Sequence, residues 1–193
     1  MTTNGNYAVQ AGNQSNGVSA QEPDWSREAP RWLWDPPRRL LRSLRRYQHW
    51  RGRSGPIAWA VSRASVLEHR FWSVVTGADI PLNSHLGGGL LLIHPSGIVI
   101  HPDATVGPNC LLLQQVTLTA GVKLGGHVDV GAGAKIIRPV LIGDHATVGA
   151  NAVVLSDIPE GATAVGVPAR VMHADSEDRA HELISSADAP SAE

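Results

Sequence analysis

A six-residue repeat of apolar residues runs from position 82 to position 159, and it constrains the fold more than any other feature. Starting from Leu82, eleven of thirteen repeat positions are aliphatic, and all thirteen residues four places further along are apolar. Side chains alternate along a strand, so two inward residues in every six indicate short strands wound around a narrow core. A hexapeptide period is typical of a parallel β-helix, in which 18 residues complete a coil and advance the chain by about 4.8 Å. We therefore expect a prism a little over four coils tall, with no residue added or skipped, rather than a β-sandwich, whose loops are irregular.

The composition is that of one domain with appendages. The chain has 193 residues, a formal net charge of −1 and 42% hydrophobic residues. Its single cysteine, Cys110, falls in an inward slot and is interpreted as core filler, so a disulfide framework is excluded and a reduced, cytoplasmic setting is expected. With no apolar run near the roughly 18 residues that cross a membrane, and no signal peptide, we expect no membrane association.

Three segments flank the repeat, which we assign to a β-helix domain at 79–171. Residues 1–24 are rich in small polar residues and are expected to be disordered. Residues 25–78 hold all six tryptophans and most of the arginines, and they predict a helix from Pro36-Pro37 and a second from about Ile57 to Val75, separated by a break at 52–56. Residues 172–193 read as an acidic tail. The packing residues expected on the second helix are Trp59, Val66, Leu67, Phe71 and Trp72.

The arginine-rich helix has two interpretations. It could bind nucleic acid or another anionic surface. A chain that is almost neutral and carries no recognition motif favours a solvated face or an oligomer contact, so no nucleic-acid partner is expected.

Two residues break the repeat, and such exceptions often mark functional sites. Gly88, within Gly87-Gly88-Gly89, allows close backbone approach. His94 occupies an aliphatic slot, where burial costs free energy unless the imidazole is hydrogen-bonded or the coil is distorted to expose it. A structural histidine and an exposed general base both remain open for His94. The other histidines of the repeat are interpreted as surface residues: His85, His101, His127 and His145. His127 and His145 are 18 residues apart, so they should stack one coil apart, below Asn109. No metal is expected.

Several motifs together resemble the serine O-acetyltransferase family of hexapeptide-repeat acyltransferases, over about residues 71–171. The His-X-X-Gly-Ile-Val segment after an Asp-Ile is the most particular of them, and the repeat and the closing Gly-Val-Pro-Ala-Arg are shared more widely. The motifs are Thr76-Gly77-Ala78-Asp79-Ile80, Ile93-His94-Pro95-Ser96-Gly97-Ile98-Val99-Ile100, Gln115-Val116-Thr117-Leu118, Gly131-Ala132-Gly133-Ala134-Lys135-Ile136 and Gly166-Val167-Pro168-Ala169-Arg170.

The resemblance implies a left-handed parallel β-helix, mainly β, behind a short α-helical segment, forming a homotrimer with acetyl-CoA between neighbouring copies. It implies an acetyl-CoA-dependent O-acetyltransferase of cysteine biosynthesis, with a small-molecule acceptor. His94 would be the general base, and Asp79 would lie in the acceptor pocket. The matching cofactor positions are Ala120, whose amide would stabilise the oxyanion, Ala132 and Ala150 along the pantetheine arm, and Arg170 at a CoA phosphate.

Departures from the family concern the acceptor. Ile93 replaces an aspartate before the histidine, and the strict register of 117–130 leaves no room for the loop whose arginine and second histidine serve serine's carboxylate. Losing that contact should weaken serine binding about tenfold to a hundredfold or more, unless Arg138, one coil from Ala120, replaces it. The end of the chain also lacks the isoleucine by which family members dock into cysteine synthase. The alternatives are an acyltransferase for a sugar or another metabolite hydroxyl or amine, and a catalytically reduced trimeric scaffold.

Overall fold

The computed structural model describes residues 17–172, which form two helices followed by a solenoid of short strands. After a 3-10 turn at Trp25–Glu28, helix α1 spans Pro36–Trp50 and helix α2 spans Pro56–Thr76. None of the helices in this range has the length and apolar character that a membrane crossing requires. The predictions for residues 1–16 and 173–193 lie outside the described residues. The strands are β1 His85–Leu86, β2 Leu91–Leu92, β3 Val99–Ile100, β4 Thr105–Val106, β5 Leu111–Leu112, β6 Thr117–Leu118, β7 Lys123–Leu124, β8 Asp129–Val130, β9 Lys135–Ile136, β10 Leu141–Ile142, β11 Thr147–Val148, β12 Val153–Val154, β13 Thr163–Val165 and β14 Arg170–Met172.

The two predicted helices are present and pack against each other, but α2 buries a different face from the one expected. Trp72 is buried, whereas Trp59, Leu67 and Phe71 are each more than half exposed. The inward face of α2 includes the polar residues Ser65 and His69, which an apolar pattern does not reveal. Its buried residues are Ala58, Ser65, His69, Trp72 and Thr76.

Hydrogen bonds explain why polar residues can face inward on α2. His69 Nε2 donates to the carbonyl oxygen of Ile80 at 2.8 Å, and its Nδ1 lies 3.1 Å from Ser43 Oγ. Burial lowers the pKa of His69, so the neutral imidazole is favoured there. Arg46 Nε donates to Ser65 Oγ at 2.9 Å. These contacts fix α2 on α1 and on the segment that enters the solenoid.

The strands form three parallel sheets that are the walls of a prism, and the predicted four coils are confirmed. The first sheet has the order β1-β4-β7-β10, the second β2-β5-β8-β11-β13-β14, and the third β3-β6-β9-β12, with only β14 antiparallel. In β1 to β12 the second residue of each strand is buried, and the buried apolar side chains form one continuous core. Cys110 is fully buried in it, and burial raises the pKa of its thiol to about 12.

The expectation of an unbroken six-residue register is wrong in the first coil. Ile100 pairs with Leu118, 18 residues later, but Leu92 pairs with Leu112, 20 residues later. Two extra residues therefore lie in the corner between β2 and β3. In this coil the inward slots belong to Leu86 and Leu92 rather than to Gly88 and His94. The pattern could not reveal this, because Leu86 and Leu92 also fit the other apolar position of the predicted repeat.

Residues 17–24 lie against the prism, which differs from the expectation of disorder for residues 1–24. The side chain of Asn109, fully buried, donates from Nδ2 to the carbonyl oxygens of Ser19 and Glu22, and its Oδ1 accepts from the Asp24 amide, all at 2.7 to 2.8 Å. A Cβ on Gly126 would lie 1.7 Å from the carbonyl oxygen of Ala20. The segment is thus held through its backbone, which its polar composition does not indicate.

Candidate active site

His94 lies in the lengthened corner between β2 and β3 and is exposed, with a left-handed φ of 51°. The corner is anchored on both sides. The Gln115 amide donates to the carbonyl oxygen of Ser96 at 2.9 Å, and the Gly97 amide donates to the carbonyl oxygen of Gly77 at 2.8 Å. Of the two interpretations that the sequence left open, a sealed structural histidine is excluded. The imidazole is instead exposed on the surface, and the loop that carries it is held by these two hydrogen bonds.

Asp79 is brought beside this loop by the end of helix α2. Gly77 caps the end of the helix with a φ of 67°, which favours glycine. Asp79 then adds to the edge of the third sheet next to Val99, because its amide donates to the carbonyl oxygen of Ile98 at 2.8 Å and its own carbonyl accepts from Ile100. Its side chain is exposed. The structure therefore groups the two predicted catalytic residues at one end of the third sheet.

The predicted cofactor residues Ala132 and Ala150 lie below His94 on the same prism edge. We call this edge, formed by corners 93–98, 113–116, 131–134 and 149–152, the His94 edge. Its corners stack by backbone hydrogen bonds of 2.8 Å from Gly133 to Gln114 and from Asn151 to Ala132. Ala132 is half-buried and Ala150 is exposed. Small side chains thus leave backbone accessible along the edge, which descends in steps of about 4.8 Å.

Arg170 lies at the lower end of the His94 edge. It belongs to β14, where it pairs with Val165. The segment before it crosses below β12, since the Val153 amide donates to Gly166 and the Ala169 amide donates to Val153. Arg170 is exposed there. Three of the four predicted cofactor positions therefore share one edge with His94.

Ala120 and Arg138 lie on a different edge, on the far side of the third sheet. Both are exposed at corners 119–122 and 137–140, and the pairing of Thr117 with Lys135 places them one coil apart, as expected. We call this the Ala120 edge. Within one copy the full width of the third sheet separates it from His94. The Ala120 amide and the imidazole are thus not brought together within a single copy.

Lys135 is a potential site residue that the sequence analysis left without a role. It projects from the outer face of the third sheet, where its Nζ donates to the carbonyl oxygen of Gln115 at 2.5 Å and to Thr117 Oγ1 at 3.2 Å. Gln115 lies directly below the corner that holds His94. The available signal was the 18-residue spacing, which stacks Lys135 under Thr117 on that face.

The stacked histidines lie on the third edge, formed by corners 87–90, 107–110, 125–128 and 143–146. His127 Nδ1 and His145 Nδ1 are 2.9 Å apart, so the predicted stacking is confirmed. Burial lowers the pKa of His127, and it raises the pKa of Asp129 nearby. Asn109 above them is not a surface residue, because residues 17–24 cover it. Within residues 17–172 no three His, Cys, Asp or Glu side chains are grouped so as to hold a metal ion.

Two cavities lie beside the helices, and His94 lines neither. One of about 590 Å³ lies between α1 and the first sheet, and one of about 520 Å³ lies near Trp59 between α1 and α2. His94 instead lies exposed at a corner of the prism. Chemistry at this edge therefore needs a second surface to enclose a substrate.

The chain is similar to serine acetyltransferases from several bacteria, although no family model matches it. It is 40% identical over 108 residues to that of Synechococcus elongatus (52% of this chain and 44% of the relative) and 31% identical over 156 residues to that of Mycobacterium tuberculosis (77% and 58%). The chain thus spans about half the length of the curated relatives it matches.

Solved structures give the same result for the fold. A soybean serine acetyltransferase complexed with serine has a TM-score of 0.60 at 33% identity, covering 72% of this chain and 58% of that one. A serine acetyltransferase in complex with CoA has a TM-score of 0.61 at 32% identity, with the same coverage. The predicted fold class, a left-handed parallel β-helix behind a short helical segment, is confirmed.

Proposed function

This chain belongs to the serine acetyltransferase family of hexapeptide-repeat proteins, and we propose that it transfers the acetyl group of acetyl-CoA to the hydroxyl of a small acceptor. The observation that carries the proposal is the position of His94. It is the residue that the two-residue insertion exposes, and it stands above the small residues of the His94 edge. The chain is also similar to a serine acetyltransferase solved with CoA and to one solved with serine, which supports acetyl-CoA as donor and serine as acceptor. The predicted cytoplasmic location and place in cysteine biosynthesis belong to the same proposal.

His94 acts as the general base. Its unprotonated ring nitrogen accepts the proton of the acceptor hydroxyl as that oxygen attacks the thioester carbonyl. The tetrahedral intermediate then collapses with cleavage of the C–S bond. The imidazolium returns its proton to the departing sulfur, so the products are the acetyl ester and CoA thiol. Ile93 supplies no carboxylate to orient the ring, so the left-handed backbone and the anchored corner hold His94 in place.

Acetyl-CoA fits along the His94 edge. Ala132 and Ala150 leave room for an extended arm whose amide groups can bond exposed backbone, and Arg170 at the lower end offers a cation for a phosphate. The thioester then points up the edge towards His94. These roles rest on the order of the residues along one edge.

The oxyanion donor comes from a neighbouring copy. In each chain the Ala120 amide lies on the edge that His94 does not share. Three prisms around a threefold axis can set the Ala120 edge of one against the His94 edge of the next, which encloses the substrate and completes the site. This arrangement accounts for a base on an open edge, and it makes the homotrimer part of the proposal.

The acceptor could also lack a carboxylate. The corners after β6 and β7 each have four residues, so no loop projects there. A sugar or another metabolite hydroxyl would not need the arginine that such a loop carries. Comparing CoA release with L-serine and with a panel of neutral hydroxyl acceptors separates the two possibilities.

Substituting His94→Ala should reduce kcat/KM about 10² to 10⁴ fold, measured as release of CoA thiol from acetyl-CoA. The activity falls because the proton acceptor is lost. The fold should be kept, because His94 is exposed. The matched control is His49→Ala, an exposed histidine on α1 whose loss should leave the rate unchanged. Unchanged turnover in His94→Ala would remove His94 from the mechanism, and wild-type protein that binds acetyl-CoA but acetylates no acceptor would favour the scaffold alternative.

A second variant tests the shared site. Ala120→Pro removes the N–H and fixes φ. We expect the corner to accept proline, because Pro102 occupies the same position one coil above and Gly121 follows with a φ of 77°. We expect a loss of about 10² to 10³ fold. Co-expressed with His94→Ala, the two inactive chains should recover about a quarter of wild-type activity, since random mixing restores one intact site in each mixed trimer. No recovery would mean that the site lies within one copy.

A further inference from the structure

Lys135 is a cation with no salt-bridge partner among residues 17–172, and it contacts Gln115 directly below the corner that holds His94. It is one of two lysines in the chain, and its neighbours within hydrogen-bond distance are neutral oxygens of Gln115 and Thr117. No carboxylate among residues 17–172 forms a salt bridge with it. A cation whose charge is not balanced among these described residues favours an anionic ligand.

The position of the ammonium group is fixed relative to the His94 corner. The carbonyl oxygen that Lys135 contacts belongs to Gln115, whose amide supports Ser96 in that corner. A Cβ on Gly97 would lie 3.2 Å from Gln115 Cγ, so the two corners are in close contact. The cation therefore lies about one strand spacing, roughly 4.8 Å, below the corner that carries His94.

Asp79 provides the opposite charge on the same face. The outward residues of the third sheet run Asp79, Val99, Thr117 and Lys135, and the lysine reaches up to the level of Thr117. Asp79 and the ammonium are thus about two strand spacings apart, or about 10 Å. Val99 between them is 40% exposed and apolar. The face therefore presents an anion, an apolar floor and a cation in a row.

This spacing matches a small zwitterion. Two charge-assisted hydrogen bonds of about 2.8 Å each, added to the roughly 3 Å between the ammonium and carboxylate atoms of an α-amino acid, span about 9 Å. We propose that Lys135 is the carboxylate subsite of the acceptor, that Asp79 receives its ammonium group, and that its side-chain hydroxyl turns towards His94. The acceptor class is then a hydroxylated α-amino acid. The inference rests on the proposed acetyl transfer, and it replaces the expectation that Arg138, on the Ala120 edge, takes this role.

The test compares two acceptors that differ only in the carboxylate. L-serine carries it, and L-serine amide has a neutral amide in its place. In Lys135→Met the KM for L-serine should rise about tenfold to a hundredfold, because a charge-assisted contact is lost, while kcat/KM for the amide and KM for acetyl-CoA stay unchanged. Lys135→Arg should restore part of the affinity. Lys123→Met, an exposed lysine on the first sheet, should change neither acceptor.

The outcomes are distinguishable from failure of the proposed function. An equal loss with both acceptors, or a raised KM for acetyl-CoA, would overturn the carboxylate subsite while acetyl transfer stands. If the wild type acetylates neither acceptor, acetyl transfer to this class fails, and calorimetric titration with L-serine still decides about Lys135. Binding that is lost in Lys135→Met supports the subsite, and absent or unchanged binding overturns it.

Discussion

Two edges of the prism have the same backbone shape but different surroundings. Both turn their corners through left-handed residues, yet the His94 edge is open, while residues 17–24 lie over the third edge, which carries Asn109 and the stacked histidines. We call the latter the covered edge. At equivalent corner positions the open edge has Gly97, Gln115, Gly133 and Asn151, and the covered edge has Gly89, Asn109, His127 and His145.

The difference shows that the repeat determines the backbone and the side chains determine what lies on it. On the covered edge, Asn109 binds three backbone groups of the chain itself, and Gly88 is closed off by Trp25, whose ring atoms would lie 2.6 Å from an added Cβ. The backbone approach expected at Gly88 therefore serves packing. On the His94 edge, no comparable segment within residues 17–172 occupies the small residues, so that edge remains available to a ligand.

The largest expected effect is a loss of stability when Asn109, which holds residues 17–24 on the covered edge, is substituted. Asn109→Ala removes three hydrogen bonds and leaves their backbone partners unpaired, which should cost about 2 to 4 kcal/mol of unfolding free energy. Asn151→Ala is the matched control, because Asn151 has nearly the same φ, 57° against 59°, but is exposed. Urea unfolding measures both, and limited proteolysis should cut residues 17–24 faster only in Asn109→Ala. Equal costs would mean that backbone strain, rather than the contacts to the segment, decides the stability.

A substitution on the His94 edge should change the binding of acetyl-CoA rather than the stability of the fold. Ala150→Leu places a larger side chain over the path proposed for acetyl-CoA, so KM for acetyl-CoA should rise about tenfold. The midpoint of unfolding should hardly move, because the residue is exposed. Thr147→Leu, exposed in the same coil on the second sheet, is the control and should leave KM unchanged. An unaltered KM in Ala150→Leu would place the cosubstrate elsewhere.

The sequence predicted the regular part of the molecule and could not predict what depends on exceptions. From residue 98 to residue 158 each coil repeats the same buried columns, so the sheets follow from the period. The added residues before Val99 were hidden because Leu86 and Leu92 satisfy either register. As a result, the sequence showed that His94 interrupts the apolar repeat, but it did not show that His94 is exposed.

Other features of the site depend on contacts between coils that a linear pattern does not encode. The covering of Asn109 involves backbone groups about 90 residues away in the chain. The contact of Lys135 with Gln115 joins residues 20 positions apart through a flexible side chain. Ala120 and His94 are separated because they lie on two different edges of the prism. The matching motif positions do not reveal this separation, so the sequence analysis assigned both residues to one site, although in the proposed trimer they come from different copies.

The smallest expected effect concerns the histidine pair of the covered edge and its response to pH. Burial, together with the charge of His145, lowers the pKa of His127, so the unfolded chain binds more protons than the folded one near pH 6.5. Stability should therefore fall as the pH drops from about 7.5 to 5.5. His69 acts in the same direction, and Asp129, whose pKa is raised, acts in the opposite direction at lower pH. His127→Asn, which tolerates the left-handed φ of 53°, should give a shallower slope of unfolding free energy against pH, and His49→Asn should not. Identical slopes in wild type and His127→Asn would show that His127 does not contribute to the pH dependence of stability.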